Sequence, residues 1–147
     1  MDFQEKMKRE KGQMKTRLWH WGQAVDRCLW KEEELQKQKV FYDLQRRIWA
    51  GDRSTRGKQT WQKMEQEYAE GLQRAQEELQ EIIREKTKMD WMIGRLEGEE
   101  ETFIRLRFGK GYGFDYIALK MHLSRATLFR LQDRALEKLL QMDIETL

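Results

Sequence analysis

Apolar residues recur along much of this chain at intervals of seven. Trp21, Cys28, Leu35, Tyr42 and Trp49 keep that interval, with Leu18, Val25, Val40, Leu44 and Ile48 on neighbouring positions and a shift of the stripe near Gln38. Residues three, four and seven apart share one face of a helix, so the spacing predicts an amphipathic helix over residues 17–49. A second series, Trp61, Tyr68, Ala75, Ile82, Met89 and Leu96, is unbroken; Leu72, Leu79 and Ile93 fill its complementary positions, while Glu65 and Lys86 interrupt them. A heptad sustained over this length predicts a helix with a left-handed supercoiled seam. Between the two series, AGDRSTRGK at 50–58 has two glycines with Asp, Ser and Thr and no apolar anchor, the composition of a loop. Two long helices around a short loop predict an antiparallel helical hairpin. Residues 1–16 are charged and weakly patterned, and read as a frayed arm or as an extension of the first helix.

The pattern shortens after residue 96. Glu99, Glu100 and Glu101 suit a first helical turn, where carboxylates meet the positive end of the helix dipole, and Phe103, Ile104, Leu106 and Phe108 follow. Gly109-Lys110-Gly111-Tyr112-Gly113 resembles a phosphate-binding loop only superficially. Such a loop needs a preceding strand and, for a nucleotide, a Ser or Thr after Gly-Lys; here a helical pattern precedes and glycine follows the lysine. The glycines are expected to end one helix and begin the next. Phe114, Ile117, Ala118 and Met121 then line one face of a short helix, and Ser124 is a good N-cap for another. In that last helix Leu128, Leu131, Ala135 and Leu139 share a narrow arc, opposite Ala126, Arg130, Asp133 and Glu137. Three helices near 97–108, 114–121 and 124–140 are expected, the last two forming a helix-turn-helix. The fold class is all-α, with residues 1–96 as a helical oligomerisation region and 97–147 as the helix-turn-helix domain.

Composition agrees with long helices: the 147 residues include no proline, and 37% are charged. The net charge of +3 is small, but its distribution is uneven. Residues 1–58 carry fifteen Lys and Arg against nine Asp and Glu, residues 59–101 six against twelve, and residues 102–139 eight against three. Two basic stretches around an acidic helix imply a localised anionic partner. Cys28 is alone, and with His20 and His122 it makes no metal-ligand spacing, so neither a disulfide nor a metal site is expected. The sequence suggests no membrane span, secretory signal, paired catalytic carboxylates or cofactor motif. A cytoplasmic, non-enzymatic protein is the expectation.

Residues 97–140, EGEEETFIRLRFGKGYGFDYIALKMHLSRATLFRLQDRALEKLL, resemble the region-4 type of helix-turn-helix found in sigma factors and related phage regulators. The shared features are an acidic turn, apolar-Arg-Leu-Arg-aromatic, a glycine-rich turn, Ile-Ala, Leu-Ser-Arg and Ala-Leu-x-Lys-Leu. In size and layout the chain resembles phage late-gene transcription activators of the RinA and ArpU kind. The resemblance implies that Ser124, Arg125, Ala126, Thr127, Phe129 and Arg130 enter the major groove of double-stranded DNA, with Lys120 and Arg134 on the phosphate backbone. Arg125 and Arg130 have the chemistry for bidentate contact with guanine or for phosphate, Thr127 can hydrogen-bond either, and Ala126 or Phe129 can meet a thymine methyl. Phe129 has another reading, packing with Leu136 and Leu140 against the long helix or a second subunit. The sequence also departs from the family. His122 stands where glycine is usual and must adopt positive φ, and Ala126 and Phe129 stand where sigma factors tend to carry charged base-reading residues. DNA docking therefore carries over, whereas promoter −35 specificity does not.

The leading expectation is a sequence-specific DNA-binding transcriptional regulator acting with RNA polymerase. Trp19, Trp30, Trp49, Met64 and Met92 are either further core or an apolar surface beyond the hairpin seam. Together with Phe41 and Ile83, they motivate a homodimer held through the long helices. The alternative is a small terminase subunit that binds DNA for packaging; a polymerase-binding protein that uses this fold without DNA is a third reading.

Overall fold

The computed structural model describes residues 2–146, which form six α-helices and one π-helical turn, with no strand among the described residues. In chain order these are α1 (Phe3–Gly22), α2 (Ala24–Trp49), α3 (Thr55–Gly94), α4 (Gly98–Ile104), the π turn (Arg105–Gly109), α5 (Phe114–Met121) and α6 (Arg125–Glu145). They group into two compact units, one of residues 1–24 with 84–147 and one of residues 25–83. No helix among the described residues is long and apolar enough to cross a membrane.

The first unit holds a closed apolar core. Phe103 and Ile104 of α4, Phe108 of the π turn, Ile117 of α5 and Leu128, Leu131, Ala135, Leu136 and Leu139 of α6 are buried together with Met89, Met92 and Ile93 of α3. Met14 and Leu18 of α1 complete it. Residues 3–16 are thus helical rather than a frayed arm: α1 packs on α6 and on the π turn, and Asp2 caps it by accepting from the Glu5 amide at 2.8 Å. The signal in the sequence is sparse because the helix buries only a narrow stripe while mostly polar and charged residues cover the rest. The core around α6 accordingly draws on residues outside 97–147.

The first long helix is interrupted at Gln23, whose N–H reaches back to the Trp19 and His20 carbonyls. Gly22 sits where α1 meets the π turn, and a Cβ there would overlap the Phe108 carbonyl. Only glycine allows that approach. Trp19 packs edge-on against Phe108 at 4.8 Å, and Met92 is fully buried, so both belong to the core rather than to an outer surface. Arg17 donates to Glu85 at 2.7 Å and to Asp143 at 2.9 Å, and Lys88 lies 2.6 Å from Asp143. Burial opposes ionisation of Asp143, but the hydrogen bonds from Lys88 and Arg17 outweigh it and hold the carboxyl below its ordinary range.

The second unit consists of α2 and residues 55–83 of α3. Its contacts run in opposite senses along the two helices: Lys31 reaches Glu78 at 2.6 Å, while Tyr42 stacks on Tyr68 at 4.2 Å and on Trp61 at 5.3 Å. The expected seam residues Cys28, Leu35, Tyr42 and Trp49 are half-buried, as are Trp61, Tyr68, Leu72, Leu79 and Ile82, and Ala75 is buried. Glu65, which interrupts the complementary positions of the seam, accepts from the Tyr42 hydroxyl at 3.5 Å. The loop is shorter than the nine residues expected, because α3 starts at Thr55. Ser54 accepts from the Gly57 amide at 3.0 Å and Asp52 from the Ser54 amide at 2.9 Å. The loop-like composition of residues 55–58 is therefore the first turn of a capped helix.

Candidate nucleic-acid interface

The elements that carry the expected site are α5, its turn and α6. Glycine does open and close helices here: Gly109 ends the π turn, Gly111 has φ +75°, and Gly113 is the N-cap of α5. Arg107 holds this segment, donating to the Tyr112 carbonyl at 3.0 Å with its guanidinium 5.0 Å from the rings of both Trp19 and Phe114. The α4 segment is shorter than the 97–108 expected, because its last turn widens to π geometry, with the Lys110 amide bonding to the Arg105 carbonyl at 3.0 Å.

Helix α5 ends as the sequence suggests. His122 has φ 57° and ψ 42°, the only positive φ at a non-glycine among the described residues. The Leu123 amide bonds to the Ala118 carbonyl at 3.0 Å, and the His122 amide to the Leu119 carbonyl at 3.4 Å. This pair of bonds is a Schellman closure, which requires a left-handed residue; histidine tolerates it better than a β-branched side chain. Ser124 then caps α6, its hydroxyl accepting from the Thr127 amide at 3.1 Å. The turn directs the first residues of α6 away from the core, and Leu128, Leu131, Ala135 and Leu139 bury the opposite side.

Lys120, Ser124, Arg125, Ala126, Phe129, Arg130 and Arg134 are exposed, and Thr127 is half-buried. Most lie on the first three turns of α6. Ser124 and Thr127 share a hydroxyl hydrogen bond of 2.8 Å, and Arg130 donates to the Thr127 hydroxyl at 3.3 Å. Arg125 is tied to Asp115 of α5 at 3.1 Å and lies 5.9 Å from the Phe129 ring. Phe129, 48% exposed, stacks on Phe114 at 4.5 Å and an interplanar angle of 17°. Its partner is therefore α5, while Leu136 is buried in the core. Lys120 sits at the far end of α5, with its ammonium 5.8 Å from the Tyr116 ring.

Two charged contacts were not legible in the sequence. Glu100 is buried and receives a hydrogen bond from Lys138 at 2.9 Å, which joins α4 to α6. That hydrogen bond is the main cause of a Lys138 pKa above the ordinary lysine value. Lys11 of α1 reaches Asp133 at 3.2 Å and Glu137 at 3.0 Å, both on the exposed arc of α6. Partial burial works against the Lys11 charge, but these hydrogen bonds prevail and raise its pKa. Helix periodicity places residues within an element; it carries no information on which residue of α1 meets α6. Among the described residues no cluster of His, Cys, Asp or Glu could hold a metal ion. No protein-family profile, characterised protein or solved structure matches the chain.

Proposed function

We propose that the chain is a sequence-specific DNA-binding transcriptional regulator, with α5 and α6 as a sigma region-4-like helix-turn-helix and α6 as the recognition helix. The observation that carries this reading is the exposed face of α6: a capped helix N-terminus follows a left-handed turn and presents Arg125, Thr127 and Arg130 beside Phe129. Backbone amides and arginines at such a helix start suit phosphate and guanine, and the exposed Phe129 ring suits a thymine methyl. Lys120 and Arg134 flank that face, where they suit backbone phosphates. Action with RNA polymerase in a cytoplasmic setting, as in phage late-gene activators, rests on the resemblance of residues 97–140.

Self-association belongs to the same reading. The second unit is taken as an antiparallel helical hairpin whose outer face pairs two copies, placing two recognition helices on two half-sites. Support comes from Trp30, Val40, Phe41, Leu44 and Ile48 of α2, all exposed, and from an open groove bordered by Phe41, Tyr42, Met64 and Tyr68. The same apolar face favours the alternative, a ring-forming small terminase subunit.

The test is selection of bound fragments from genomic DNA, followed by titration of the recovered site. Arg130→Ala is expected to weaken specific binding by about 1–3 kcal/mol and relax base preference, whereas Lys120→Ala reduces the salt slope by about one. Equal binding by parent and both variants refutes the recognition-helix assignment.

A further inference from the structure

The exposed arc of α6 has an electrostatic problem for a DNA-binding helix. Beyond Arg130 it carries Asp133 and Glu137, whose side chains are 63% and 56% exposed and would repel phosphates. The structure answers this from another element. Lys11 of α1, its side chain only 15% exposed, bridges both carboxylates. On the same stripe of α1, one turn before and one turn after, stand Lys8 and Lys15. Lys8 is exposed and Lys15 half-exposed, and neither makes an ion pair among the described residues. Asp133 borders two adjoining depressions: one shared with Arg130 and Arg134, the other with Lys8, Lys11 and Lys15. The surface from the recognition helix to α1 is thus continuous, with its two carboxylates bridged by Lys11 in the middle and, among the described residues, lysines without an ion pair at its edge.

We infer that α1 is a second DNA-contacting element, in which Lys8 and Lys15 bind backbone phosphates beside the groove occupied by α6 and Lys11 masks the acids of α6. The inference rests on the DNA-binding reading and extends it to residues far from the helix-turn-helix in sequence. Duplex DNA is the occupant that fits, because the stripe is basic and adjoins the proposed base-reading face.

Phosphate contacts act through counterion release and are independent of sequence, so a labelled mixed-sequence duplex suffices as probe, titrated between about 50 and 200 mM salt. Each lost contact should reduce the slope of log affinity against log salt by about 0.9. The Lys8→Ala/Lys15→Ala double variant is expected to lose about two in slope, while Lys39→Ala/Lys63→Ala, which removes two exposed lysines from the second unit, keeps the parent slope. If the parent binds and both double variants keep its slope, α1 makes no contact, and the reading of α6 stands without it. An equal fall in both double variants also overturns the inference, because binding then follows net charge. A parent that fails to bind duplex overturns the inference and the DNA-binding reading together. Circular dichroism on each variant confirms that α1 still folds; should the alanine pair unfold it, Lys8→Gln/Lys15→Gln replaces it with the same expected slope.

Discussion

The two compact units are both built from amphipathic helices, yet they bury their apolar residues to different depths. In the unit of residues 1–24 and 84–147, side chains from α1, α3, α4, the π turn, α5 and α6 meet around Phe103 and Leu131, and many are fully buried. In the unit of residues 25–83, Ala75 is the one buried apolar side chain among the described residues, and the long seam residues are half-buried. The cause is geometric. A helix in a two-helix pair has a single neighbour, so a large side chain on the seam is covered from one side and open at its flanks. Only a third helix closes the flank. The second unit also leaves Trp30 62%, Phe41 61% and Ile48 67% exposed. Burying one such side chain stabilises by about 1.5–3 kcal/mol, which is the physical basis of the dimer proposed above.

Side-chain truncation is expected to separate the two units most strongly. Phe103→Ala is expected to cost about 3–5 kcal/mol in chemical denaturation, since it opens a cavity in a closed core. Leu35→Ala, at the half-covered seam, is expected to cost about 1 kcal/mol or less by area removed from water. Similar costs for the two would mean that the second unit is as closely packed as the first.

The next test addresses the exposed face of α2. Light scattering at micromolar concentration should give about twice the chain mass of 18.0 kDa. Leu44→Asp should return that mass to one chain while leaving the helical signal in circular dichroism intact. A parent already at one chain mass removes the dimer, and a mass near that of a ring of many chains favours the terminase reading.

The smallest expected effect is that of pH. Asp143 and Asp90 sit in the first unit, and both have lowered carboxyl pKa values. For each, burial opposes the charge, but hydrogen bonds prevail, from Lys88 and Arg17 at Asp143 and from Lys86 and Trp21 at Asp90. A depressed folded pKa contributes stability that is complete above the unfolded value of about 4 and is lost as pH falls through the folded value. The melting temperature should therefore fall below about pH 4, and Asp143→Asn should flatten that fall. An unchanged acid limb in the variant would show that the Arg17–Asp143–Lys88 cluster contributes nothing to it.

Much of the architecture was legible in the chain. The heptads of α2 and α3, the apolar arc of α6 and the N-cap Ser124 all follow from rules acting within a few residues, whereas the positive φ of His122 was expected from the family resemblance. Local rules failed where a distant contact intervened. The sequence left residues 1–16 open between a frayed arm and a helix extension, and the helix from Phe3 was settled only by the core that Met14 and Leu18 enter; the break at Gln23 lies beside Gly22, whose bare Cα leaves room for the Phe108 carbonyl. Residues 55–58 misled because their loop-like composition also suits a capped first turn.

For the candidate site the division is similar. Sequence periodicity by itself determined which face of α6 is apolar and which carries Arg130, because the period of a helix is set by its own hydrogen bonds. Only the tertiary structure decided that Phe129 stacks on Phe114, that Arg125 is held by Asp115, and that Lys11 stands against Asp133 and Glu137 across more than a hundred residues of chain. Such pairings depend on where the shared core brings separate helices together. A one-dimensional pattern holds no record of that, because Lys8 and Lys15 stand on the same stripe of α1 as Lys11 and yet only Lys11 meets those carboxylates.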